Sequence, residues 1–97
     1  MRLRFTPRAT KDIANIAEYL RQHSPAAATR VRASIYRGLQ NLLIFPLLGR
    51  EQRQTAARKL MTPRYGYLIY YLVDQVADEI VVISVKHPAQ AREEKDA

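Results

Sequence analysis

The chain has 97 residues, 47% of them hydrophobic and 26% charged, with a formal net charge of +7 and no cysteine. That length supports one hydrophobic core and no second, and the lack of cysteine excludes a disulfide framework, a thiolate zinc site and a cysteine nucleophile. Met1-Arg2-Leu3-Arg4-Phe5 lacks the apolar run of a signal peptide, and no stretch approaches the roughly 20 apolar residues of a membrane span, so one cytoplasmic domain over residues 1–97, without membrane contact, is expected.

Leu3 and Phe5 alternate with Arg2, Arg4 and Thr6, the pattern of a half-buried strand. Thr6-Pro7 then supplies an N-cap and a first helical residue. Ile13, Ile16, Ala17 and Leu20 follow at helical spacing, which predicts about four turns ending near His23. Ser24-Pro25 repeats the start signal. The second stripe is Ala28, Val31, Ile35, Leu39 and Leu42, with Arg30, Arg32 and Arg37 largely outside it, and the helix should stop near Phe45-Pro46. A connection of one or two residues makes the pair an antiparallel hairpin. Leu47 to Thr55, with Gly49 and no periodicity, reads as a loop.

The remainder reads as strands. Ala56 to Thr62 is a short one, and Thr62-Pro63-Arg64-Tyr65-Gly66 a turn. Tyr67 to Val73 is apolar on both alternating faces, as expected of a central strand. Asp74 to Glu79 is a polar turn, and Ile80 to Val85 is the last strand. Residues 89–97 lack large apolar side chains and read as a loose tail, either a helical turn or disorder. The expected fold is α+β, in the order strand–helix–helix–strand–strand–strand, with a helical hairpin packed on a mainly antiparallel sheet.

The charge is unevenly placed. Residues 1–64 hold 13 Lys and Arg against 3 Asp and Glu, whereas residues 65–97 hold 3 against 6. Twelve of the 16 cations are Arg, which suits bidentate contact with phosphate or carboxylate, and such a field favours an anionic partner. The three glycines form neither a phosphate loop nor a dinucleotide fingerprint. The two histidines lie 64 positions apart in no ligand motif, so no metal or other cofactor is expected. No serine sits in a glycine-flanked elbow. A basic and aromatic group remains around the sheet, including Arg58, Lys59, Arg64, Tyr70, Tyr71 and His87. A metal-free ribonuclease needs a base, an acid and cations for the developing phosphorane charge, and this group holds candidates for each role. The alternative for Tyr70 and Tyr71 is a core-edge place, with hydroxyls at the rim.

Arg58-Lys59-Leu60, the run Tyr67-Leu68-Ile69-Tyr70-Tyr71, and Val85-Lys86-His87-Pro88-Ala89 resemble the RelE/ParE superfamily of type II toxin–antitoxin toxins. The opening Phe5-Thr6-Pro7-Arg8-Ala9 and the element order agree, so the resemblance spans nearly the whole chain. RelE-like members cut messenger RNA on the ribosome and carry an Arg immediately before the Leu-Val-Tyr segment of the central strand. Tyr67 stands there in this chain, and only Pro88-Ala89-Gln90-Ala91-Arg92 follows His87 where relatives place a catalytic Tyr or a further base. The ParE branch is therefore the more similar one. That implies a toxin that inhibits DNA gyrase and replication by binding rather than by hydrolysis. It also implies a cognate, ParD-like antitoxin whose acidic segment folds on the toxin, and DNA contact only through that antitoxin. Arg30, Arg32, Arg37, Arg53, Arg58 and Arg64 are the cations expected to meet antitoxin or target. The alternative implied by the RelE branch is a metal-independent, ribosome-dependent endonuclease using Arg58, Lys59, Arg64 and His87.

Overall fold

Two of the three hydroxyl-proline junctions, Thr6-Pro7 and Ser24-Pro25, start helices. In the computed structural model of the chain, which describes residues 1–90, Thr6 caps α1 (Pro7–His23) by accepting a hydrogen bond from the Ala9 N–H at 3.1 Å. Ser24 closes α1 and opens α2 (Pro25–Ile44). Its N–H donates to the Leu20 carbonyl, and its hydroxyl accepts from the Ala27 N–H at 3.2 Å. One residue is thus the whole connection, and the hairpin is as tight as the sequence implies. Phe45 ends α2, its N–H donating to the Asn41 carbonyl before Pro46 blocks another turn.

The strands are β1 (Arg2–Phe5), β2 (Arg50–Glu51), β3 (Arg58–Met61), β4 (Leu68–Asp74) and β5 (Glu79–Lys86), in the spatial order β1-β5-β4-β3-β2. Every pairing is antiparallel except β1 with β5. The expected fold is present, with a fifth strand added. β2 lies inside the segment read as a loop, pairing Arg50 with Lys59 and Glu51 with Arg58. Two charged residues carry no alternation by which a strand could be recognised. β4 is central, and it starts at Leu68 rather than Tyr67, because Tyr67 closes the preceding turn: its N–H donates to Thr62 Oγ1 and its carbonyl accepts from the Thr62 N–H.

The core lies between the helices and one face of the sheet. Val31, Ile35, Leu39 and Leu42 of α2 meet Ile69 and Tyr71 of β4 and Ile80, Val82 and Val85 of β5, with Ile13, Ile16 and Leu20 of α1 packed against them. The Cα radius of gyration, 13.2 Å, is that of a compact chain of this length. β5 changes step within the core. Tyr70 faces Ser84 while Tyr71 faces Val82, so Ile83 is an extra residue, a bulge, and Val82 and Val85 both reach the helices. β1 stops at the level of Val82, and α1 takes over the edge of β5 beyond it. The Thr6 hydroxyl donates to the bulged Ile83 carbonyl at 2.8 Å, and Asp12 Oδ2 accepts from the Val85 N–H at 3.1 Å. Backbone groups that a sixth strand would otherwise have to satisfy are thereby paired.

Among residues 89–97, Ala89 and Gln90 continue from Pro88 in a helical turn. The rest of the expected tail lies outside the described residues.

Candidate functional site

α2 has two working flanks. Ala28, Val31 and Ile35 face Ile13, Ile16, Ala17 and Leu20 of α1 across an apolar groove of about 260 Å³, with Arg32 at its rim. The other flank faces the turn between β3 and β4. There Arg30, Arg37 and Arg64 line one cleft of about 180 Å³, so three of the six cations expected to meet a partner come together. Helical spacing brings Arg30 and Arg37 to one side, seven residues apart. Arg64 arrives on a turn stapled to the helix by the Ser34 hydroxyl, which donates to the Pro63 carbonyl at 3.1 Å. Arg64 itself has φ 80°, in the left-handed region. All three are exposed, and none of their guanidiniums forms a hydrogen bond or ion pair among the described residues. Arg53 is exposed in the loop between β2 and β3 and lines neither of these sites.

The four candidate nuclease residues are dispersed. Arg58 Nη1 donates to the carbonyls of Gly49 at 2.8 Å and Leu47 at 3.3 Å, while Nη2 meets Glu51 Oε1 at 3.0 Å. Its guanidinium therefore serves the 47–51 segment. Lys59 is the next residue of the strand, so it points to the opposite sheet face, level with Tyr70. Arg64 belongs to the cleft beside α2. His87 lies past the end of β5 beside a separate groove lined by Asn15, Tyr19 and Tyr67. Its Nδ1 accepts from the Ala89 N–H at 3.0 Å, and its ring stands edge-on to that of Tyr67 at 5.4 Å. Among the described residues, no group of three or more His, Cys, Asp or Glu could hold a metal ion, and no helix is long and apolar enough to cross a membrane.

The sequence profile described as "ParE toxin of type II toxin-antitoxin system, parDE" matches residues 3–92. The chain belongs to the ParE toxin family. This ParE-family toxin is 30% identical, over 92% of its length, to Y4kP, a protein of Sinorhizobium fredii described as a candidate toxin, and covers 90% of that protein. Its fold matches a chain of the chromosomal ParDE system of P. aeruginosa with a TM-score of 0.74, at 21% identity, covering 90% of this chain and 95% of that one. The isolated RelE toxin of E. coli matches with a TM-score of 0.59, at 19% identity, covering 98% of this chain and 96% of the other.

Two features of the toxin go beyond what the sequence suggested. Tyr71 has no rim position. It is fully buried, and its hydroxyl donates to the Pro46 carbonyl at 2.7 Å and accepts from the Gly49 N–H at 2.8 Å. Tyr70, one residue earlier, lies half-buried on the opposite sheet face, under the Lys86 ammonium at 5.2 Å. In addition, Ile44, Phe45, Leu47 and Leu48 are all exposed at the end of α2. Their signal was present as an apolar run continuing past the helix stop.

Burial raises the pKa of Tyr71 above the usual 10.0, against the lowering effects of its Gly49 hydrogen bond and of Arg58. Burial, helped by the neighbouring Tyr19, also raises that of Tyr67. In the unfolded chain both phenols ionise near 10.0, while the folded protein retains their protons. Their contribution is thus intact below about pH 10 and is lost as pH climbs toward the folded values. Urea denaturation followed through the alkaline range should show stability falling with rising pH, and Tyr67→Phe should make that fall shallower.

Proposed function

We propose that this toxin acts in the bacterial cytoplasm by binding DNA gyrase and trapping it on DNA, and that a cognate ParD-like antitoxin holds it inactive. The observation that carries this reading, beside membership of the ParE family, is the dispersal of the nuclease candidates. Arg58 is occupied by two carbonyls and Glu51, and Lys59, Arg64 and His87 lie at three other places. A ribonuclease must aim its cations and its acid and base at one phosphate. A toxin that works by contact needs exposed surface instead, which the arginines of α2 and the turn after β3 supply.

For the antitoxin, the apolar groove between α1 and α2 suits one face of an amphipathic segment, and Arg32 at its rim suits that segment's carboxylates. The solved ParDE relative is a toxin–antitoxin system, which supports an antitoxin here.

A supercoiling assay with purified gyrase tests the proposal. Added toxin should produce linear plasmid from trapped cleavage complexes, and antitoxin should abolish it. Intact supercoiling at high toxin excess, together with ribosome-dependent RNA cleavage that disappears in His87→Ala, would replace this reading with the nuclease one.

A further inference from the structure

The polar flank of α2 is built more specifically than a solvated face requires. Among the described residues, Arg30, Arg37 and Arg64 line one cleft with no carboxylate among its walls, and none of their guanidiniums is paired. Like charges gathered this way repel, and nothing described in the fold compensates them. The backbone adds to the cost. Arg64 occupies φ 80°, which a side chain with a Cβ enters only against strain, although Gly66 stands two residues away at φ 69° and bears none. The turn is also fixed in place, because the Ser34 hydroxyl ties the Pro63 carbonyl to α2. Arg64 is therefore held beside Arg30 and Arg37.

We infer that this cleft is an oxyanion site and that its ligand is a backbone phosphate of DNA. A carboxylate presents two oxygens in one plane and matches one guanidinium fork to fork, leaving two of the three cations without a partner. A phosphodiester presents oxygens in several directions, and its neighbours along the strand carry further charges for the remaining guanidiniums. The cleft, at about 180 Å³, has room for a single phosphate group. The toxin then grips DNA itself, in addition to any contact made through an antitoxin. The inference rests on the gyrase reading only for the occasion on which DNA is met.

Fluorescence anisotropy of the 97-residue toxin with a short labelled DNA duplex tests the site without gyrase, so this inference and the gyrase reading can fail separately. Arg64→Gly is the informative variant, since glycine accepts the positive φ and removes only the side chain. Its thermal midpoint should equal or exceed that of the wild type, which separates a binding defect from a folding defect. Duplex affinity should fall about tenfold, and the slope of log affinity against log salt should become shallower by about 0.9, the value for one phosphate no longer neutralised. Arg30→Gln and Arg37→Gln should behave alike, while Arg2→Gln, which removes the same charge from β1, should leave affinity and slope nearly unchanged. An equal loss in Arg2→Gln would reduce the effect to a diffuse field and overturn the site, as would absence of duplex binding by the wild type at low salt. Displacement by oligoglutamate as readily as by unlabelled duplex would overturn the phosphate assignment in favour of an acidic protein. Displacement by a free nucleoside triphosphate as readily as by duplex would overturn DNA as the source of the phosphate.

Discussion

Replacing Gly49 with alanine should destabilise the toxin by about 2–4 kcal/mol. An added Cβ would lie 2.7 Å from both Cε1 and the hydroxyl oxygen of Tyr71, and 3.1 Å from the Lys59 carbonyl carbon. The ring cannot retreat, because Tyr71 is fully buried in the core. The 46–51 segment must lift instead, giving up the Gly49 N–H bond to the Tyr71 hydroxyl, that hydroxyl's bond to Pro46, and the Arg58 bond to the Gly49 carbonyl. Tyr71→Phe, which removes the hydroxyl and leaves the space, should cost about 1–3 kcal/mol. Because both substitutions break the same bonds, the double variant should cost less than the sum. Gly38→Ala is the contrast. A Cβ there meets Ile69 Cδ1 at 3.4 Å, Thr62 Cγ2 at 3.5 Å and Leu60 Cδ2 at 3.6 Å, ordinary contacts, and the better helix propensity should make it neutral or stabilising by up to about 1 kcal/mol. Urea midpoints at constant m-value measure all four proteins.

The second large effect is expected at Ile69→Ala. Ile69 is fully inaccessible near the start of β4, between Leu60 and Val85 in the neighbouring strands and beneath Gly38 of α2. α2 comes close to the sheet at Gly38, which has no side chain to move into the cavity that truncation leaves. The cost should be about 3–5 kcal/mol, a large part of the roughly 5–15 kcal/mol that holds such a domain together. The melting temperature should fall by roughly 15–25 °C. A loss below about 1 kcal/mol would mean that α2 settles onto the sheet and that the close approach at Gly38 is not fixed.

The helices were legible because their signals are local. Thr6-Pro7 and Ser24-Pro25 mark the starts, Phe45-Pro46 marks the stop, and the apolar stripes give the buried faces. The central place of β4 was legible from side chains apolar on both faces. What escaped depends on residues distant in sequence. β2 exists because Arg58 and Tyr71 hold its segment from strands seven and more residues away. The bulge at Ile83 is stabilised by Thr6, 77 residues earlier. At the cation cleft, the sequence places Arg30 and Arg37 on one flank of α2. The arrival of Arg64 between the same walls requires the tertiary packing of the turn, and a positive φ that an arginine does not advertise. Likewise, nothing local to Arg58 distinguishes a cation aimed at a phosphate from one spent on its own backbone.

The parallel pairing at the sheet edge bears on how the toxin comes into being. Among the described residues, β1 has β5 as its one neighbour in the sheet, with Arg2 level with Glu79 and Phe5 level with Val82. β1 thus waits for β5, and the hydroxyl of Thr6 waits for the Ile83 carbonyl, 77 residues further on. Such long-range closure is slow and cannot begin early in synthesis. A nascent chain can form the helical hairpin, with its single-residue connection, while most of the sheet is still unmade. The complete α+β layer, and with it any surface that depends on the assembled sheet, appears only once β5 has been made.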